Sequence, residues 1–275
     1  MNIKNGIGLL GCGAIGQGLA LAVDSGVIKG ARLVAVFDQD SQKSNSLVQR
    51  LNGSTKTADS FEDFIDSEGL SLVVEAASQE AVRKYGKAVI DHSKHLMIMS
   101  TGALLDKNLF SEMSHLAQVT GLQIFVPSGA VGGIDAIRAS RHELHEVTLT
   151  TRKPPESLAD TDAGSLESLK KLDSATVVFE GNALEAVQRF PFNINVAATI
   201  SLAGIGPEKT RVRIIADPNA LGNIHEIYAA GRSGVMTFVM ENVPHPDNPR
   251  TSHLAVLSAI EALRTVCEDG IRIGA

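Results

Sequence analysis

The stretch Gly6-Ile7-Gly8-Leu9-Leu10-Gly11-Cys12-Gly13-Ala14-Ile15-Gly16-Gln17-Gly18-Leu19-Ala20-Leu21-Ala22-Val23 decides how the chain is read. Ile7, Leu9 and Leu10 form a short apolar run broken only by glycine, and Ile15, Leu19, Ala22 and Val23 then recur at helical spacing. The order is strand, glycine turn, helix. A rival reading is a secretion leader, with Lys4 ahead of an uncharged stretch and Ala20-Leu21-Ala22 as a cleavage-like triplet. Six glycines at 6, 8, 11, 13, 16 and 18 lower hydrophobicity and helix propensity below what a leader or membrane span needs. In the strand-turn-helix reading the glycines have tasks. Gly11 permits the tight turn, Gly13 lets a pyrophosphate approach the backbone, and Gly16 lets the helix pack on the strand. Ala14 and Ile15 then open the helix, whose N-terminus favours the ligand's negative charge.

Working outward, a second strand, Arg32 to Phe37, ends in Asp38, about 20 residues beyond the last motif glycine, where a dinucleotide fold places an acid. A carboxylate there accepts hydrogen bonds from both hydroxyls of an adenosine ribose and repels a 2′-phosphate, which favours NAD. Gln39, Ser41 and Lys43 follow and leave NADP possible. Alternation continues with helices at Ser41 to Leu51, Gln79 to Ile90 and Asn108 to Val119. Strands are expected at Leu72 to Ala76, Leu96 to Ser100 and Leu122 to Val126. The fold class is therefore α/β, a Rossmann-type doubly wound parallel sheet. Ligands in such sheets lie beyond the strands' carboxyl ends. The candidate cofactor peptides are accordingly Ala76-Ala77-Ser78, Ser100-Thr101-Gly102 and Pro127-Ser128-Gly129-Ala130, each of which also reads as an ordinary capped turn.

The pattern changes after about Ala136. Glu146 to Arg152 alternates like a strand, and the Pro-, Ser-, Asp- and Gly-containing segment from Lys153 to Ser165 reads as an exposed loop. Strand-like runs follow at Thr176 to Glu180, Thr210 to Ala216, Ile224 to Ala229 and Val235 to Glu241, with helices at Ala183 to Arg189 and Asn195 to Leu202. A second, mixed α+β domain on a mostly antiparallel sheet is expected. The last helix, Thr251 to Cys267, carries Leu254, Leu257, Ile260 and Leu263 on one stripe. The expected organisation is a nucleotide-binding domain over 1–130, a catalytic domain over 131–248, and a helix over 249–268 that packs back on the first domain.

A length of 275 residues suits two domains with cores of their own. Lys plus Arg is 25 and Asp plus Glu is 31, a net charge of −6 that argues against a nucleic-acid face or polybasic membrane surface and points to a small-molecule partner. Cys12 and Cys267 stand far apart with no Cys/His cluster beside either, so neither a disulfide framework nor a metal site is expected, and a reducing cytoplasm is the default compartment.

Among the 8 histidines, His92, His95, His115, His142 and His145 sit beside charges or at element ends and read as surface residues. His245 lies in a proline-bounded loop and His253 near a helix start. His225 differs, because strand alternation puts it on the apolar face of Ile227 and Ala229, where an imidazole needs a reason to be. Spacing alone leaves open a hydrogen-bonded core histidine and a proton-transfer group.

Several strings together resemble the L-aspartate dehydrogenase family: the 11–16 glycine turn, Glu75-Ala76-Ala77-Ser78-Gln79, Ser100-Thr101-Gly102-Ala103-Leu104, Pro127 to Gly133, Thr151-Arg152-Lys153-Pro154, Phe192 to Ala198, Asn223-Ile224-His225-Glu226-Ile227, and Glu241 to Pro244 with Asn248 to Ser252. The resemblance spans nearly the whole chain. It implies that His225 is the acid/base, that Asn195 contacts the cofactor and that Ala130 lies beside it. It also implies L-aspartate, oxaloacetate and ammonia as small-molecule partners, a homodimer formed through the second domain, and iminoaspartate as an intermediate that could feed NAD biosynthesis. A dicarboxylate substrate calls for cations, and Arg152 and Lys153 are the candidates, although the two read at least as well as a solvated basic pair beside a proline turn. The loop from Lys153 to Leu172 matches no family pattern. A homoserine dehydrogenase, a dihydrodipicolinate reductase and a non-catalytic NAD-binding sensor are the alternatives of similar build.

Overall fold

Gly6–Leu10 is strand β1, buried along its length, and Ala14–Asp24 is helix α1. The chain then adds β2 (Arg32–Phe37), α2 (Ser41–Val48), β3 (Lys56–Thr57), α3 (Phe61–Ile65), β4 (Leu72–Glu75), α4 (Gln79–Asp91) and β5 (His95–Ile98). A 3₁₀ turn at Thr101–Leu105, α5 (Lys107–Thr120) and β6 (Ile124–Phe125) follow. The six strands are parallel, in the order β3-β2-β1-β4-β5-β6. Strand order reverses between β1 and β4, the switch point at which doubly wound sheets bind ligands. The structure describes residues 6–158, 161, 163–190, 194–246, 248–271 and 273. Phe192 and Asn193 of the family-like string lie outside them.

Two units divide the chain. One runs through Pro127 and includes Val256–Ile273, and the other runs from Ser128 to Ala255. The second contains α6 (Ile134–Ser140), β7 (Leu144–Lys153), α7 (Pro155–Leu158), α8 (Leu166–Leu169), β8 (Thr176–Asn182), α9 (Ala183–Arg189) and α10 (Asn195–Ala203). β9 (Arg211–Ala216), β10 (Ile224–Gly231), β11 (Gly234–Glu241), β12 (Pro244–His245) and β13 (Asn248–Ser252) complete its strands, and α11 (His253–Cys267) begins there. Its sheet runs β11-β10-β7-β9-β8, antiparallel except for the β7–β9 pair.

Three expectations need correction. The last helix buries Leu263 as expected but not Leu254 and Leu257, which are 36% and 47% exposed; Val256 and Ala259 turn inward in their place. Ala259 and Leu263 join Ile7, Leu9, Leu19, Val36 and Met97 in the core of the first unit. The helix is apolar on more than one side, so its periodicity alone does not select the buried stripe. The segment after Lys153 is not simply an exposed loop. Pro155 fits the first turn of α7, where its missing N–H costs nothing, and Leu158 is fully buried. His95 is half-buried rather than superficial, its Nδ1 accepting from the Gln123 N–H at 3.0 Å.

Candidate active site

The glycine turn after β1 is shaped by close approach. Gly11 has φ +102°, and a Cβ there would come within 2.7 Å of the Ala76 carbonyl group. A Cβ on Gly16 would lie 2.1 Å from the Gly11 oxygen, so any larger residue would push α1 off β1. Gly13 is different: a Cβ there would meet nothing within 4 Å. Its side faces open space, and the α1 N-terminus that it caps has no side-chain cap and no acid in its first turn. Those amides and the helix dipole favour an anion. Beside them is a pocket of ≈ 240 Å³, lined by Gly11, Gly13, Asp38, Lys43, Ala76, Ala77, Ser78 and Tyr85.

Asp38 follows β2 and accepts from the Cys12 N–H at 2.7 Å and the Asp40 N–H at 2.9 Å. Each oxygen keeps a further lone pair for a ribose hydroxyl. Cys12 is buried within the glycine turn, and desolvation together with Asp38 pushes its thiol up to about 12, so it remains a packing group. An open glycine edge, uncapped helix amides and a fixed carboxylate together fit a dinucleotide.

Glu75, at the end of β4, is fully buried. Its carboxylate accepts from the Ala77 N–H at 2.8 Å, the Ser100 N–H at 3.0 Å and the Ser100 hydroxyl at 2.8 Å. It thereby joins two of the expected cofactor peptides. Burial raises its pKa, while the donors from Ser100, Ala77 and Ser78 oppose that rise. Ser78 itself caps α4 by accepting from the Ala81 N–H. Thr101 and Gly102 are buried in the 3₁₀ turn.

The second unit carries His225, the candidate for proton transfer. Across the β10–β7 ladder His225 stands opposite Thr151, and Ile224 opposite Arg152. Asn223 directly precedes β10, next to the Ile224–Arg152 pair, and Lys153 closes β7. His225, Thr151 and Lys153 are buried on one face of the sheet, and Asn223 is buried as well. His225 Nδ1 and Thr151 Oγ1 are 3.1 Å apart, which leaves Nε2 for exchange with a ligand. Burial pushes the Lys153 ammonium down to about 8. Burial first, and then the charge of Lys153, pushes the imidazole down to about 3, so the unliganded His225 is neutral near pH 7.

The two cationic candidates are separated. Arg152 alternates to the opposite face, where its NH1 donates to Asp217 Oδ2 at 2.9 Å and lowers the pKa of that carboxyl. Ala130 is buried, and its carbonyl accepts from Asn242 Nδ2 at 3.0 Å, while the Asn242 N–H donates to the Asn223 carbonyl at 2.9 Å. Asn195 is exposed at the first residue of α10. Glu75, Thr151, Asn223 and Asn242 were missed as site residues. Only Glu75 carries a sequence signal, a charge closing the apolar run Leu72-Val73-Val74.

A dinucleotide cradle on a parallel sheet, together with a buried imidazole on a separate sheet, defines a nicotinamide-dependent oxidoreductase. Comparison with known proteins narrows the class. Residues 11–127 match the family model described as homoserine dehydrogenase, NAD binding domain, and residues 135–266 match that of aspartate dehydrogenase, C-terminal. L-aspartate dehydrogenases from Nitrosopumilus maritimus and Methanosarcina barkeri are 46% and 44% identical; the matches cover 98% and 94% of this chain and 98% and 96% of those proteins. The crystal structure of aspartate dehydrogenase from Thermotoga maritima is 30% identical, with a TM-score of 0.76 over 97% of this chain and 98% of that one. The chain belongs to the L-aspartate dehydrogenase family.

Proposed function

We propose that the protein catalyses the reversible oxidative deamination of L-aspartate, through iminoaspartate, to oxaloacetate and ammonia, with NAD as its preferred cofactor. The observation that carries this reading is the neutral His225, oriented by Thr151 and set beside a buried Lys153 on one sheet face. Gly11, Gly13, Ala14, Ile15 and Gly16 would hold the pyrophosphate and Asp38 the adenosine ribose. Ala76–Ser78, Ser100–Gly102, Ala130 and Asn195 would complete the cofactor's surroundings. A bound nicotinamide would supply the acceptor for the hydride of the substrate Cα.

Lys153 is the side chain suited to a substrate carboxylate, and Arg152 braces the opposite face through Asp217. An incoming carboxylate offsets the field of Lys153, raising the proton affinity of His225 toward the range in which it exchanges protons. His225 Nε2 then accepts a proton from the α-ammonium and passes it to solvent, and later accepts one from the water that attacks the imine carbon and returns it to the departing nitrogen. The C–N bond breaks as ammonia leaves and the C=O of oxaloacetate forms. Burial of this face keeps bulk water from the imine.

Asp38 supports NAD over NADP, with Lys43 in the same pocket allowing weaker NADP use. We also infer a homodimer and a cytoplasmic setting, and iminoaspartate release would allow a role in NAD biosynthesis. No helix among the described residues is long and apolar enough to cross a membrane, and they contain no metal-binding cluster. The test is reduction of NAD on addition of L-aspartate. Most turnover should vanish in His225→Ala with NADH binding retained; wild-type turnover in that variant removes His225 from the mechanism.

A further inference from the structure

The sheet face that carries His225 also holds a buried atom with no hydrogen bond, Oδ1 of Asn223. The residue is only 5% exposed, and leaving such an acceptor unsatisfied is costly. The amide is not loosely held. Its Nδ2 donates to Ser252 Oγ at 3.3 Å, which turns the oxygen away from Ser252, and its backbone carbonyl accepts from the Asn242 N–H. Asn223 directly precedes β10, two residues before His225, where strand alternation carries its side chain to the face of His225, and it adjoins the end of β7 at Arg152 and Lys153.

This inference rests on the L-aspartate reading above. L-aspartate brings two carboxylates, which need donors, and one α-ammonium, which needs an acceptor. Lys153 serves the first need and His225 moves protons. We propose that Asn223 Oδ1 accepts a hydrogen bond from the substrate's α-nitrogen, as ammonium and then as iminium N–H, so that Asn223 selects amino dicarboxylates over nitrogen-free ones. An amide suits the position better than a carboxylate. An aspartate side chain here would compete with the substrate carboxylates for the cation at the end of β7, whereas the neutral oxygen accepts without competing.

The test uses the full-length protein saturated with NADH, so that neither ligand is oxidised. L-aspartate and succinate, which keeps both carboxylates and lacks the nitrogen, are titrated by calorimetry into wild type, Asn223→Leu and Asn223→Ser. A lost hydrogen bond to a charged group weakens L-aspartate about 10-fold or more in both variants, while succinate affinity stays within about twofold. Equal weakening of both ligands overturns the proposal, because the amide then donates to a carboxylate or merely holds the sheet. No weakening of either overturns it as well. Should the leucine variant fail to fold, the serine variant, too short to reach the nitrogen, reads the same ratio. A wild-type protein that does not bind L-aspartate defeats this proposal together with the functional reading, whereas wild-type binding with an unchanged ratio defeats this proposal alone.

Discussion

Replacing Lys153 with methionine should make the protein more stable and much less active. Lys153 is 4% exposed, and burial moves its ammonium from 10.5 to about 8. At about 1.36 kcal/mol for each step of pKa, keeping that charge folded at neutral pH costs about 3 kcal/mol. The cost is fully present below about 8 and disappears as pH rises through 10.5, because between these values the unfolded chain holds a proton that the folded one has released. Methionine keeps the unbranched stem and removes the charge. Lys153→Met should therefore unfold at higher denaturant at neutral pH and melt higher by roughly 2–4 °C for each kcal/mol gained. The advantage should vanish above 10.5. Succinate binding should be lost in the variant, and in wild type it should weaken as pH rises through about 8. A variant less stable at neutral pH, or one that binds succinate normally, refutes the argument that Lys153 is buried at a cost for the sake of a carboxylate.

Two further outcomes concern the first unit. Asp38→Ala removes the acceptor fixed by the Cys12 and Asp40 amides, so the Kd for NADH should rise more than that for NADPH; an unchanged ratio counts against the ribose role. Glu75→Gln puts an NH₂ donor among the N–H groups of Ala77 and Ser100. It should lower stability by about 1–3 kcal/mol and weaken NADH binding, and a melting curve and NADH affinity equal to wild type would show that the two peptides do not depend on Glu75.

Much of the first unit was legible because its constraints are local. Gly11 and Gly16 occur where the backbone admits nothing larger, Asp38 closes an apolar strand, and alternating elements announce a parallel sheet. His225 was legible for a similar reason, since two-residue alternation put an imidazole where only apolar groups belong. What surrounds His225 was not. Lys153 stands before two prolines and reads as solvated; its burial comes from neighbours that β9 and β10 bring from far along the chain. Arg152 differs from it by one position and thus by one face of the sheet, a distinction that becomes decisive only once β7 is seen to extend through Lys153. Asn223 and Glu75 show the same limit, for a buried polar side chain is defined by the partners it gains or lacks, and these are set by register rather than by composition. The closing helix fails differently. Leu254 and Leu257 are as apolar as the residues that do face the core, so the choice of stripe belongs to packing.

Oxidation of an amino dicarboxylate is the activity proposed for this enzyme. The direct measurement is the absorbance of reduced nicotinamide when full-length protein and NAD receive L-aspartate or, separately, L-homoserine. The account predicts reduction with L-aspartate and none with L-homoserine; oxidation of L-homoserine without any response to L-aspartate would contradict it.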